Sequence, residues 1–258
     1  MPNFRESNRM PRRAFHCVAL GGVALGGVAL GGVALGAMAA GIGPAALSTV
    51  VGCDELAAGQ QDAGGDELQR LIAGNKRFVA GSLKHPHLGN DWRKRLSRGQ
   101  KPFATILGCS DSRVPPELLF DQGFGDLFVI RIAGNVVDTD VTGSVEYGVD
   151  HLGTRLVVVM GHDGCGAVTA ALGANEDVAK EPKAIRSLVG KIQPAVATVK
   201  KEQDFAVRLK QSVEANVRAS VQQLIKVPDL QRAIAAKKTK IIGCVYDIDS
   251  GQVRTLDV

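Results

Sequence analysis

The chain has 258 residues, 45% of them hydrophobic and 22% charged, which is enough for one globular domain with a sizeable core plus an extension. The net charge is +5, but residues 1–53 hold four arginines against one glutamate. The remainder is therefore nearly neutral, and no nucleic-acid partner is expected. Five cysteines at wide spacing form an odd set, which does not indicate a disulfide framework.

The N-terminal extension has the pattern of an export signal. Residues 14–53 contain no Asp, Glu, Lys or Arg, and Arg12 and Arg13 precede them directly. This combination is typical of a twin-arginine signal, although the apolar stretch is also long enough to be a retained membrane anchor. Both interpretations predict an exported protein that is periplasmic or attached to the outer side of the membrane.

Cys53 ends the uncharged stretch. The preceding residues, Val50-Val51-Gly52, resemble a lipoprotein processing box, in which the cysteine becomes the lipidated N terminus. A lipid anchor at Cys53 is one interpretation, and a cysteine that merely lies near a cleavage site is the other. We therefore predict an export signal over residues 1–53, a polar linker over 54–65 and a globular domain over 66–258.

The domain begins with an amphipathic helix, which Asp66 is expected to cap. A basic, loop-like stretch follows, from His85 and His87 to Lys101. Four continuous apolar runs then predict buried strands at residues 103–108, 127–132, 155–160 and 240–246.

Helical patterns separate these strands, and residues 183–237 are predicted to form two or three helices, broken near Pro194 and Pro228. Asp249-Ser250-Gly251 indicates a turn into a last strand. The sequence therefore predicts an α/β fold, with a mostly parallel β-sheet flanked by helices and a short C-terminal hairpin strand.

Two of the predicted strands end in polar clusters, one beginning at Cys109 and the other containing His162 and Cys165. Ligands in parallel sheets bind at the carboxyl ends of the strands. Two cysteines and one histidine form a tetrahedral zinc set with one open position, which is typical of a catalytic site. We therefore predict that these three residues bind metal, although each alone would be an ordinary buried cysteine or loop histidine.

Asp111 and Arg113 stand two residues apart just after Cys109. On an extended loop these side chains can pair, and the arginine then keeps the carboxylate ionised. The carboxylate is close enough in sequence to reach the open metal position, where it would accept a hydrogen bond from water or bind the metal itself. The alternative is a salt bridge that only tightens the loop.

The remaining cysteine and histidines of the domain have structural interpretations. Cys244 lies in the middle of a predicted strand and is expected to be buried core. His85 and His87 are predicted to be surface loop residues, and His151 is predicted to be structural near the end of a helix.

The segments 109–113 and 162–165 together resemble the paired signatures of the β-class carbonic anhydrases, and residues 120–131 and 143–147 are similar to further segments of that family. The resemblance covers roughly residues 66–258. It implies that Cys109, His162 and Cys165 bind Zn²⁺. It also implies reversible hydration of carbon dioxide to bicarbonate and a proton.

The resemblance further implies that Asp111 and Arg113 are the catalytic pair. In some members of the family the aspartate ligates zinc in an inactive state, so Asp111 is a conditional fourth ligand. The family also implies a homodimer or a higher homo-oligomer.

Within the family, the resemblance is to a bacterial, plant-like subgroup. The members that bicarbonate inhibits have a tryptophan three residues before the first zinc cysteine, and that position is Ile106 here. Gln122 is offset by one from the pocket glutamine of plant-like members. Two alternative functions remain open: hydrolysis of CS2 or COS at the same zinc site, and a non-catalytic zinc-binding role. The presence of Asp111 and Arg113 disfavours the second alternative.

Overall fold

The computed structural model describes residues 67–201 and 204–257, so the predicted export signal, Cys53, the linker and Asp66 lie outside the described residues. The elements follow one another in chain order as α1 (Glu67–Val79), α2 (Asn90–Leu96), β1 (Ala104–Gly108), α3 (Pro116–Leu119), β2 (Leu127–Arg131), a 3-10 turn (Ala133–Asn135), α4 (Thr139–Asp150), β3 (Leu156–His162), α5 (Gly166–Leu172), α6 (Asn175–Lys180), α7 (Lys183–Val196), α8 (Phe205–Ile225), α9 (Pro228–Ala235), β4 (Lys240–Tyr246) and β5 (Val253–Leu256).

One sheet contains the five strands in the order β2-β1-β3-β4-β5. The first four pair in parallel, and β5 runs antiparallel to β4. Every residue of β1 and β3 is buried because helices cover both faces of the sheet, which explains their continuous apolar sequences. The predicted α/β fold, including its C-terminal hairpin strand, is confirmed.

The predicted strand bounds differ from the observed ones by no more than two residues, and β4 has the predicted bounds. β3 continues to His162 because that residue still pairs in register with Tyr246 of β4. Within the single chain, β2 is less buried than predicted: its residues are half-buried or exposed, since β2 is an edge strand.

The segment predicted to be a basic loop contains helix α2. Trp92 is the buried residue of this helix, and its Nε1 donates a hydrogen bond of 2.7 Å to the carbonyl of Phe124. Because a single buried side chain gives no helical period, the sequence pattern did not reveal the helix.

His87 lies in a loop as predicted, but it is half-buried and makes specific contacts that the sequence did not indicate. Its ring stacks on Trp92 with 4.0 Å between the ring centroids, and its Nδ1 lies 2.8 Å from Oδ2 of Asp126, whose side chain has no exposed surface. His85, in contrast, is exposed as predicted.

Three helices, α7, α8 and α9, occupy the segment predicted to hold two or three. Pro194 lies inside α7, whose last residue comes two positions later. Pro228 is the first residue of α9, where its missing N–H would have no intrahelical acceptor. None of the helices within residues 67–201 and 204–257 has both the length and the apolar character needed to span a bilayer.

Candidate metal centre

The predicted ligands meet at the carboxyl ends of two neighbouring strands. Cys109 directly follows β1, and His162 is the last residue of β3, which pairs in parallel with β1. Gly164, with φ +65°, turns the chain so that Cys165 comes back toward His162 just before α5 begins. The sulfur atoms and the imidazole nitrogen all lie within 4.8 Å of one another, and all three residues are buried.

One nitrogen of His162 is free to bind a metal ion. Its Nδ1 lies 3.0 Å from the carbonyl oxygen of Asp163, which can only accept, so Nδ1 carries the proton. Nε2 therefore has a lone pair, and this buried atom has no hydrogen-bond partner in the described part of the chain. A buried orphan acceptor beside two thiols fits Zn²⁺, whose histidine ligands commonly donate their second nitrogen to a backbone carbonyl.

The charge of the cluster also fits a divalent cation. Hydrogen bonding from Cys165, aided by the N–H of Gly134 at 3.3 Å, lowers the pKa of Cys109 to about 4. The same thiolate and burial raise the pKa of Cys165, because a second negative charge beside the first is unfavourable. A doubly charged cation removes this conflict, since two thiolates balance its charge.

Asp111 and Arg113 form a bidentate ion pair beside the three predicted ligands. The Nε and Nη2 atoms of Arg113 donate to Oδ1 and Oδ2 of Asp111 at 2.9 and 2.7 Å. These hydrogen bonds hold the pKa of the Asp111 carboxyl well below its usual range. Oδ2 also lies 3.9 Å from Nε2 of His162, so the carboxylate faces the predicted ligands while Arg113 holds it.

Three polar residues support the centre and were not singled out as site residues from the sequence. Arg131, at the end of β2, donates from Nε to the carbonyl of Cys109 at 2.9 Å and from Nη2 to the carbonyl of Asp111. Asn216 of α8 donates to the carbonyl of Gly134 at 2.8 Å. Ser220, one turn later, donates to the carbonyl of the residue after Gly134.

A signal for these supporting residues exists in the sequence. Arg131 is a charged residue at the end of an apolar strand, which is the pattern that identified the metal ligands. Asn216 and Ser220 are four residues apart on the buried face of α8, where Ser212 continues the same polar row among valines and a leucine.

The other cysteine, histidine and glutamine residues discussed in the sequence analysis lie outside the metal-binding cluster. Cys244 is buried in β4, as predicted, and burial raises its pKa to about 12. His151 follows the end of α4, where its ring lies 5.0 Å from that of Tyr147. Gln122 is buried, and its Nε2 donates to the carbonyl of Phe120 at 2.7 Å.

Comparisons with known sequences identify relatives of this chain. A family model for carbonic anhydrases matches residues 104–253. Carbonic anhydrase 2 of Mycobacterium tuberculosis is 42% identical over 183 residues, covering 70% of this chain and 87% of the relative. The carbonic anhydrase of Mycolicibacterium smegmatis is 40% identical over 184 residues, covering 71% and 88%.

Solved structures give the same assignment. A β-carbonic anhydrase of Aspergillus fumigatus, CafA, superposes with a TM-score of 0.60 at 28% identity, covering 74% of this chain and 91% of that one. A Coccomyxa β-carbonic anhydrase superposes with a TM-score of 0.60 at 27% identity, covering 74% and 86%. With the sheet, the strand-end cluster and these relatives in agreement, the chain belongs to the β-class carbonic anhydrase family.

Proposed function

We propose that this protein is a zinc-dependent carbonic anhydrase, which catalyses the reversible hydration of carbon dioxide to bicarbonate and a proton. The observation that carries the proposal is the buried cluster of Cys109, His162 and Cys165, whose donor set fits Zn²⁺ and leaves one coordination position open. Zinc held by these side chains supplies Lewis-acid activation of a water molecule.

We assign Asp111 to the orientation of the attacking water. Its carboxylate is ionised and can only accept hydrogen bonds, so a water that donates to it turns a lone pair toward carbon dioxide. Because its pKa is lowered, this carboxylate is a weak base and does not take up the released proton at neutral pH. Arg113 has a positioning role, since its two donors fix both carboxylate oxygens.

The substitution Cys165→Ser tests the metal assignment. We expect the variant to lose its zinc and its carbon dioxide hydration, because a serine hydroxyl is a poor zinc ligand at neutral pH. Zinc content is measured by elemental mass spectrometry, and hydration is measured by stopped-flow with a pH indicator.

Cys244→Ser is the matched control, because it removes an equally buried thiol outside the cluster. It should keep one zinc per chain and remain active. Full zinc occupancy in Cys165→Ser would contradict the ligand assignment. A parent enzyme that hydrolyses COS but does not hydrate carbon dioxide would contradict the proposed function.

We also propose that the protein is a homodimer or a larger homo-oligomer. Two observations support this proposal. The outer edge of β2 has no strand partner in the described part of the chain, and the unpaired N–H and C=O groups of such an edge can pair with another chain. Phe124, shortly before β2, and Tyr147, whose ring lies 5.9 Å from that of Phe128 in β2, are both about half exposed.

We propose, finally, that the enzyme is exported by the twin-arginine route and is then either periplasmic after cleavage of the signal or attached to the membrane, through the retained apolar stretch or through a lipid on Cys53. The support is the Arg12-Arg13 pair in front of an uncharged stretch. A chemical reason adds to it. Zinc needs Cys109 and Cys165 as thiolates, whereas the compartment beyond the membrane favours disulfides. A route that carries folded proteins allows zinc to bind in the reducing cytoplasm first.

A further inference from the structure

A pocket lies at the amino ends of β3 and β4, whereas the metal centre lies at the carboxyl ends of β1 and β3. Arg155 precedes β3 and Lys240 begins β4, and both line the pocket. Its volume is about 430 Å³, which is large enough for a small organic molecule.

The pocket carries an excess of positive charge. Arg155, Lys237, Lys238 and Lys240 line it against the single carboxylate of Glu67. Arg155 and Glu67 lie 3.5 Å apart and partly neutralise each other. The three lysines form no ion pair with the residues that the structure describes, so their charges repel one another and a bound anion would relieve that repulsion.

The backbone around these lysines is fixed by hydrogen bonds. The N–H groups of Lys237 and Lys238 donate to carbonyls of the last turn of α9, both at 2.9 Å, and close the end of that helix. The N–H of Lys240 donates to the carbonyl of Arg155 at 3.0 Å. The backbone positions of these cationic residues around the cavity are therefore fixed.

A buried hydroxyl is a second, independent feature of this pocket. Thr239 lines it, only 6% of the residue is exposed, and its Oγ1 has no hydrogen-bond partner among the described residues. The hydroxyl oxygen is covered by protein atoms, and buried hydroxyl groups are normally paired. Rotation of the Thr239 side chain toward the cavity would let this hydroxyl donate a hydrogen bond to an anionic oxygen bound there.

The apolar residues that line the pocket restrict the kind of anion that fits it. Ile225, Ile234 and Ile241 also line the pocket, so part of its wall is apolar. We propose that the pocket binds a phosphate monoester with a short apolar substituent, the phosphate facing the cationic side chains and the substituent facing the isoleucines. A bicarbonate ion fits less well, because it would neutralise one charge and leave the isoleucine side empty.

Calorimetric titration of the zinc-loaded full chain tests the proposal, with inorganic phosphate, hexyl phosphate, and vesicles with and without phosphatidic acid as probes. Hexyl phosphate should bind one to one and about tenfold or more tighter than inorganic phosphate, because its chain is buried on the isoleucines. Added salt should weaken the binding. Binding to phosphatidic acid vesicles as well would identify a lipid source, and binding of hexyl phosphate alone would identify a soluble one. If neither hexyl phosphate nor the vesicles bind, the proposal is overturned.

The double substitution Lys238→Gln and Lys240→Gln should weaken hexyl phosphate binding by about tenfold or more, because two ion pairs are lost. The matched control changes Lys94→Gln and Lys101→Gln, which removes the same charge from exposed positions outside the pocket. Both variants should hydrate carbon dioxide like the parent, which also shows that they fold. The proposal is equally contradicted if both double variants bind hexyl phosphate with the parent's affinity.

Discussion

At the scale of single residues, the metal centre combines groups that are unfavourable without a cation. The two cysteines are buried beside each other, so the first thiolate opposes ionisation of the second. The Nε2 atom of His162 is buried with no partner in the described structure. Zinc binding satisfies all three donors at once. The stability of the folded site therefore depends on the bound metal.

The substitution Asp111→Asn separates the orientation of water from the binding of metal. The amide can donate as well as accept, so it no longer enforces one orientation of the water, and kcat/KM should fall by about 100-fold or more. Zinc content should stay at one per chain, since the three predicted ligands are untouched. Stopped-flow hydration and elemental analysis measure the two effects.

Asp140→Asn is the control for this prediction, because Asp140 is an exposed carboxylate in the first turn of α4. It should leave both zinc content and turnover unchanged. Parent-like turnover in Asp111→Asn would remove Asp111 from the catalytic machinery.

At the scale of elements, close contact between α4 and the sheet depends on one glycine. A Cβ placed on Gly148 would lie 2.4 Å from Oγ1 of Thr105 in β1 and 3.3 Å from the ring of Phe128 in β2. The hydroxyl of Thr105 is itself buried and hydrogen-bonded to Thr154 at 2.9 Å. The Thr105 side chain therefore has little freedom to move away, and the packing of α4 on the sheet requires glycine at position 148.

The helix offers a matched pair of glycines to test this point. Gly148→Ala should lower the free energy of unfolding by about 1–3 kcal/mol, because the added methyl group overpacks the contact with β1. Gly143→Ala should raise it by up to about 1 kcal/mol, since nothing lies within 4 Å of the added Cβ and alanine favours helix. Urea unfolding of the zinc-loaded protein measures both, and effects of the same sign would contradict the packing argument.

At the scale of the whole molecule, the proposed assembly places β2 and its apolar surroundings at a subunit interface. Light scattering coupled to size exclusion should give the mass of a dimer or larger. Tyr147→Glu should shift the protein toward monomer, because it places a charge in that interface. Ile185→Glu, at an exposed apolar position on α7, should leave the mass unchanged. A parent protein of monomeric mass would contradict the assembly.

Export connects the N-terminal signal to the chemistry of the metal site. Replacing Arg12 and Arg13 with Lys should leave active, zinc-bound enzyme inside the cell, because the twin-arginine route reads that pair and carries folded proteins. Fractionation with zinc and activity assays measures the outcome. If this variant reaches the outside with normal zinc and activity, the extension is an ordinary signal or an anchor.

Features that depend on local sequence pattern were predictable from the residues of this chain. Continuous apolar runs identified the four parallel strands to within two residues, because strands that are covered on both faces, such as β1 and β3, need predominantly apolar side chains. The turn at Asp249-Ser250-Gly251 identified the final hairpin strand. Cys109, His162 and Cys165 were singled out because metal binding requires these residue types, and their positions at strand ends were readable.

Features that depend on contacts between distant residues were not predictable from the sequence, because those contacts form only in the folded chain. Helix α2 and the role of His87 depend on Trp92, Phe124 and Asp126, which pack together from separate segments of the chain. The half-buried state of β2 follows from its place at the edge of the sheet, which its own composition does not encode. Periodicity is a local property, whereas a hydrogen bond between remote segments exists only after packing has brought its donor and acceptor together.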